Sequence, residues 1–387
     1  MGLDTPKEVT PSVCSGQALT VSDYASLVAE TDRLSSSSNR PILLGLFGEV
    51  GSIMATSKKA HREGDAFSAY RTALVEEFGD ALWYLAALCR RSGFSLDDVL
   101  SDASDGDQMI TRIVAGEFST APVTSIKSFE TDLDIDEILL ELGKDVAALL
   151  SEDVGKDLLR EKATKFTLTY LRAVQSSKIP FAQIVRYNIE KARGRFLPPD
   201  YQELPDFDAN FPEEERLPER FRIEIRERPN GKSYLRWNGV FIGDPLTDNI
   251  QDPDGYRFHD VFHFAFATIL HWSPTFRALI HHKRKSVPAV DESQDSGRAI
   301  VIEEGLSAYI FSCAKDLNFF EGQSSLSFDL LKTISNFVRG YEVEKCPLKL
   351  WEIAILQGYE VFREVKKNSG GVVIGDRTSR TIRYEKL

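Results

Sequence analysis

Between Leu197 and Arg220 the chain carries Pro198, Pro199, Pro205, Pro212 and Pro218 among many acids, and its texture differs on the two sides of this stretch. Proline lacks an amide donor and fixes φ, so a regular helix or central strand does not run through such a segment. Before it, apolar residues recur at helical spacing. After it, Phe221, Ile223 and Ile225 alternate with Arg222, Glu224 and Arg226, the period of a half-buried strand. The pattern predicts a mainly α chain: a flexible tail over 1–17, an all-α helical bundle over 18–196, a proline-rich acidic linker over 197–220, and an α+β domain over 221–387. A chain of 387 residues is long enough for two cores.

Within the first part, helices are expected from Thr20 to Leu34, over 42–62 and 68–92, in a short capped piece at Ser95–Leu100, and over 134–151, 156–176 and 180–195. Residues 101–130 are polar and poorly patterned, as in a loop or insertion. In the second part, Pro229-Asn230-Gly231 reads as a turn and Tyr234–Ile242 as the next strand. Helices dominate over 257–365, and Val372–Tyr384 reads as a closing strand. A shift of 85 residues lays Leu74 on Leu159, Glu76 on Glu161, Ala86 on Leu171 and Val99 on Ile184, which suggests a degenerate internal duplication. The same shift puts Lys162 and Lys165 where Glu77 and Asp80 stand. Chance alignment of two amphipathic helices gives a similar match, and the sequence leaves both readings open.

The residues that carry chemistry are acids on two of the expected helices. Glu49 lies in Gly45-Leu46-Phe47-Gly48-Glu49-Val50-Gly51-Ser52, and Glu77 and Asp80 lie in Glu76-Glu77-Phe78-Gly79-Asp80-Ala81-Leu82-Trp83-Tyr84. Glu77 and Asp80 are three residues apart, on one helical face. Two helices offering carboxylate oxygens to a common point suit a hard cation such as Mg2+, with Mn2+ as an alternative. Glu76 points about 100° away from Glu77 in an ideal helix and is the weaker candidate for activating water.

These two runs resemble the MazG-like, all-α nucleoside triphosphate pyrophosphohydrolases, and Asn188-Ile189-Glu190-Lys191-Ala192-Arg193-Gly194-Arg195 looks like the helix that ends such domains. The resemblance spans about 20–196. It implies hydrolysis of a nucleoside triphosphate between the α and β phosphates, with Glu49, Glu77 and Asp80 as catalytic metal ligands. Asn188, Lys191, Arg195 and Tyr24 would contact substrate, Tyr24 and Thr31 near the base. It also implies a homodimer, or one chain that supplies the whole bundle if the duplication is real. Ser52 departs from the pattern, where the family places a second Glu. A hydroxyl is a neutral, weak Mg2+ ligand, so the alternative is a nucleotide-sensing domain with weak turnover, coupled to a metallohydrolase-like effector domain.

A second constellation lies downstream. His259-Asp260-Val261-Phe262-His263 sets two histidines at i and i+4, and Glu303-Glu304 follows on a later helix. The set is similar to the His-Glu-x-x-His arrangement of zinc hydrolases, with Asp260 in the place of the glutamate base. It predicts Zn2+ or another divalent ion on His259, His263 and Glu304, or Glu303 in its stead; half-buried, hydrogen-bonded histidines are the alternative.

The formal net charge of -12 argues against coating of nucleic acid or an anionic membrane, because the long-range field repels both. No apolar run is long enough for a span, and Met1–Ser15 lacks the regions of a signal peptide, so a cytoplasmic protein without membrane partners is expected. Cys14, Cys89, Cys313 and Cys346 form no ligand-spaced pair, and Cys89 is expected to be a buried, reduced thiol.

Overall fold

The computed structural model describes residues 21–34, 38–103, 134–150 and 155–387. The expected tail, Cys14 and most of the polar 101–130 segment lie outside them. The chain divides into two compact units, Met1–Arg193 and Gly194–Leu387. Among the described residues it is mainly α, with one small antiparallel sheet confined to the second unit, as the patterning predicts. Among the described residues, no helix is long and apolar enough to cross a membrane.

In the first unit the helices are α1 (Val21–Thr31), α2 (Arg40–Glu63), α3 (Tyr70–Ser92), α4 (Leu96–Ala103), α5 (Ile135–Leu149), α6 (Lys156–Ser176) and α7 (Phe181–Phe196), whose last turn passes into the second unit. Pro41 opens α2, where its missing N–H costs nothing, and Gly93 ends α3 in a left-handed conformation with its amide donating to the carbonyls of Arg90 and Cys89. Two helical hairpins form, α2 with α3 and α5 with α6, and α2 also packs on α5. Their centre is aromatic: the Phe78 ring meets Tyr170 edge-on at 5.6 Å, and the Tyr170 hydroxyl donates to the Phe78 carbonyl at 2.9 Å. Each such buried ring contributes about 1.5–3 kcal/mol. Arg91 grips Asp32 and the Leu34 carbonyl, which fastens α1 to the end of α3.

The 85-residue shift carries α3 almost onto α6. Buried Phe78, Ala81, Leu85, Leu88 and Cys89 fall on buried Ala163, Phe166, Tyr170, Ala173 and Val174. The cationic counterparts are both engaged with α5. Lys165 pairs with buried Asp145 at 2.8 Å, and Lys162 donates to the Ala148 carbonyl at 2.9 Å.

The second unit contains β1 (Arg220–Glu227), β2 (Ser233–Trp237), β3 (Val240–Leu246), α8 (Asp260–Ala265), α9 (Pro274–Ile280), α10 (Gly297–Lys315), α11 (Phe328–Phe337), α12 (Leu348–Lys367), β4 (Gly370–Asp376) and β5 (Thr381–Glu385). The sheet order is β3-β2-β1-β4-β5, antiparallel throughout. Phe221, Ile223 and Ile225 on β1 face a core shared with α8 and α12.

Two strands expected as single runs are hairpins. Asn238 and Gly239 both take positive φ and fold Tyr234–Ile242 into β2 and β3, as a two-residue Asn-Gly turn does. The closing run likewise splits at Arg377–Arg380 into β4 and β5. The proline-rich segment expected as a linker is instead built into the second unit. Leu217 is in its core, and buried Asp208 accepts from the Leu217 amide and pairs with buried Arg277. Proline prevented regular structure there but not packing.

His271, left-handed at the end of the turn after α8, lies within 3.1 Å of the Arg377 carbonyl through Nε2. Burial, with Arg377 and Arg380 nearby, lowers its pKa from 6.5 to about 3. The folded state therefore keeps this ring neutral while the unfolded chain binds a proton below pH 6.5, so stability falls as pH drops from 6.5 towards 3. The expected loss is about 2 kcal/mol at pH 5 relative to pH 7. His271→Asn, which tolerates the same backbone, should flatten that part of a denaturant-midpoint profile between pH 7 and 5; an unchanged slope would place the titration elsewhere.

Candidate functional site

α2 and α3 present the expected acids to one another. Ligand oxygens of Glu49, Glu77 and Asp80 lie within 4.8 Å of each other, each residue half-buried. The helical register does this: Glu49 stands on the α2 face towards α3, and Glu77 and Asp80 share one face of α3. Two glycines of the motif allow close approach. A Cβ on Gly45 would fall 2.2 Å from the Tyr84 ring, and one on Gly79 would fall 2.9 Å from Asn188 Cβ. Gly79 is thus what lets α7 lie directly against the acidic face of α3.

α7 supplies the polar neighbours. Asn188 Nδ2 donates to Asp80 Oδ1 at 3.1 Å, while its Oδ1 accepts from the buried Tyr24 hydroxyl at 2.8 Å. The Lys191 ammonium donates to Asp80 and, at 3.0 Å, to Glu76. Glu76, turned away from Glu77 by the helix, is buried and serves this ion pair. Burial opposes the charge on Lys191, but Asp80 and Glu76 outweigh it and hold its pKa above the ordinary value.

Glu49 feels the acids most. Burial, then Asp80 and Glu77, raise its pKa from 4.5 to about 8, with Lys191 opposing and a hydrogen bond to Glu77 reinforcing the shift. Such a group holds a proton at neutral pH and exchanges it readily for a cation. Three carboxylate oxygens within 4.8 Å of one another fit a hard cation such as Mg2+ or Mn2+. Ser52 is half-buried one turn beyond Glu49, and the acidic cluster has no carboxylate from that position.

Tyr24, Asn188, Lys191, Glu49, Glu77 and Asp80 are therefore brought together. Arg195 is not part of this group. It belongs to the second unit, where its guanidinium donates to fully buried Glu352 at 3.0 Å and to the Leu326 carbonyl at 2.8 Å. Thr31, also buried, accepts the Trp83 indole N–H at 2.9 Å, a bond not evident from spacing alone.

In the second unit, His259, Asp260 and His263 bring ligand atoms within 4.8 Å of one another, all buried. Glu304 from α10 lies 3.4 Å from His259 Nε2 through one oxygen and 3.4 Å from His263 Nε2 through the other. Its neighbour Glu303 is committed differently: its oxygens accept from Ser273 Oγ at 2.7 Å and the Thr275 amide at 2.8 Å, and Oε1 lies 3.0 Å from His263 Nδ1. Tyr256, not singled out by its spacing, stacks on the His259 ring at 4.3 Å, and its carbonyl lies 2.9 Å from His259 Nδ1.

Residues 202–387 match the family model of the MazG C-terminal domain. That stretch, just under half of the chain, is similar to the MazG C-terminal domain. No curated protein and no solved structure matches it. The MazG C-terminal match covers the histidine cluster and the segment from Gln202 to Arg220, in keeping with the packing of that segment into the second unit. The carboxylate cluster lies outside the matched residues.

The raised pKa of Glu49 has a measurable consequence in metal-free protein. Its carboxyl keeps a proton in the folded state between about pH 4.5 and 8 that the unfolded chain releases, so stability falls as pH rises through that window. In chelator, the thermal midpoint should drop by several degrees from pH 5 to pH 8, beyond the change seen in Glu49→Gln. Parallel profiles for the two proteins would refute a shared proton at this cluster.

Proposed function

We propose that the first unit hydrolyses a nucleoside triphosphate to the monophosphate and pyrophosphate, with Mg2+ held by Glu49, Glu77 and Asp80. The observation that carries this reading is the convergence of three carboxylates within 4.8 Å beside an ammonium, Lys191, and a carboxamide, Asn188. The MazG relationship of the other half supports a nucleotide-related role at a coarser level. When bound, Mg2+ would neutralise phosphate charge and acidify a coordinated water.

The chain's own residues have distinct tasks. Lys191 already bridges Glu76 and Asp80, and its ammonium can turn to a phosphate oxygen once the acids have another cation to answer. Glu49, which favours its protonated form in the metal-free cluster, would release that proton as the ion binds and serve as an oxygen ligand. Asn188 holds Asp80 in place and is itself held by Tyr24, so both act as positioning residues. Ser52 supports a second reading, a nucleotide sensor with little turnover, because the cluster carries one acid fewer than the pattern it resembles.

The test is incubation of the full chain with a panel of nucleoside triphosphates and Mg2+, with monophosphate and pyrophosphate quantified. Asp80→Ala should abolish release. Asn188→Ala should lower it about 10–100-fold, the usual cost of removing a group that orients a ligand. Undiminished turnover in Asp80→Ala would overturn the assignment, and tight nucleotide binding without product would favour the sensor.

A further inference from the structure

We infer that His259, His263, Asp260 and Glu304 form a binding site for a divalent transition-metal ion, chemically distinct from the all-carboxylate cluster of the first unit. Imidazole nitrogens with carboxylates suit Zn2+, Mn2+, Fe2+ or Co2+ better than Mg2+, which prefers oxygen alone.

Several observations converge on it. His259 and His263 are one turn apart on the same helical face and Asp260 lies between them in sequence, with ligand atoms of all three within 4.8 Å. The Tyr256 carbonyl can only accept, so His259 Nδ1 donates to it, and in the neutral ring this directs the Nε2 lone pair towards Glu304. His263 is completely buried, yet neither ring nitrogen makes a hydrogen bond; its Nδ1 is backed by Glu303 without the alignment of one. Its neighbours are the carboxylates of Glu303 at 3.0 Å and Glu304 at 3.4 Å, and an ion between Nε2 and Glu304 would satisfy both groups.

The distances fit as well. Ligands on one tetrahedral ion with bonds of about 2.0–2.1 Å are separated by about 3.3–3.4 Å. The two Nε2 atoms stand 3.4 Å from the oxygens of Glu304, too far for good hydrogen bonds but right for sharing an ion.

Around these ligands is the kind of supporting layer that metal sites use. Glu303 is fixed by Ser273 and Thr275 and stands behind His263, the Tyr256 carbonyl stands behind His259, and the Tyr256 ring covers the His259 face. Just beyond the ligands, α8 widens into a π-helical turn over Phe266–Leu270, a feature frequent at functional sites. Glu304, with 38% of its side chain exposed, is the side from which an ion reaches the cluster.

The experiment uses the full chain, stripped with chelator and equilibrated with Co2+ in a large excess of Mg2+, which occupies the carboxylate cluster by mass action. Wild type should retain about one cobalt per chain after gel filtration, with visible absorption bands of a nitrogen-ligated tetrahedral ion. His259→Ala and Glu304→Ala should each weaken retention at least about tenfold and remove the bands. Glu304→Ala alters a partly exposed residue and decides the matter even if His259→Ala fails to fold, as circular dichroism would show. Absence of bands in wild type, or bands unchanged in Glu304→Ala, would overturn the site and leave His263 as a buried, ion-paired histidine. Nucleotide turnover does not enter this readout, so the outcome is independent of the proposed hydrolysis.

Discussion

Repulsion among Glu49, Glu77 and Asp80 is the constraint around which the first unit is arranged. Three acids brought this close cannot all carry charge without compensation, and burial with mutual repulsion favours a proton on Glu49 while an ion pair answers Asp80. Lys191 makes that pair from α7. The pair depends on packing: the missing side chain at Gly79 admits Asn188, which sits one helical turn before Lys191. The aromatic centre of Phe78, Phe166 and Tyr170 then fixes the hairpins that hold the acids in confrontation.

The second unit solves a related problem in a different way. Arg277 and Arg284 are buried to the last per cent, and both meet Asp295; Arg277 also meets Asp208, and Arg284 meets Glu342. Buried charges of this sort are costly unless every partner is present, and removal of one partner typically costs about 3–5 kcal/mol. The network ties Asp208, from the proline-rich segment, to α9 and to the turn before α10. Irregular backbone is thereby kept in one conformation by side-chain charge rather than by a hydrogen-bonded ladder.

These two modes of assembly explain what could be read in the sequence. The helices, the mainly α class and the acidic motif follow from local periodicity, and so did the separation of Glu76 from Glu77, since a helix rotates adjacent residues by about 100°. Asn188 and Lys191 were singled out by resemblance to a helix motif, not by any spacing to the acids. Pairings across long stretches of chain left no local trace: Arg195 meets Glu352, 157 residues away, and Arg277 meets Asp208, 69 residues away. The choice between Glu303 and Glu304 was equally invisible, because two identical neighbours differ only in what packs against each. By contrast Asn238-Gly239 was a legible turn, masked by the apolar residues that flank it.

The position of Arg195 bears on where this chain can be divided. α7 begins in one compact unit and its final turn ends in the other, so the polypeptide has no neutral seam at the prolines that follow. A fragment starting at β1 would discard Arg195, Asp208 and Leu217 together. It would strand the Glu352 carboxylate with Lys349 as its remaining cation, leave Arg277 short of an acid, and open the core beneath the sheet. Poor behaviour of such a truncated piece would report on the cut rather than on the domain, whose natural beginning is the last turn of a helix.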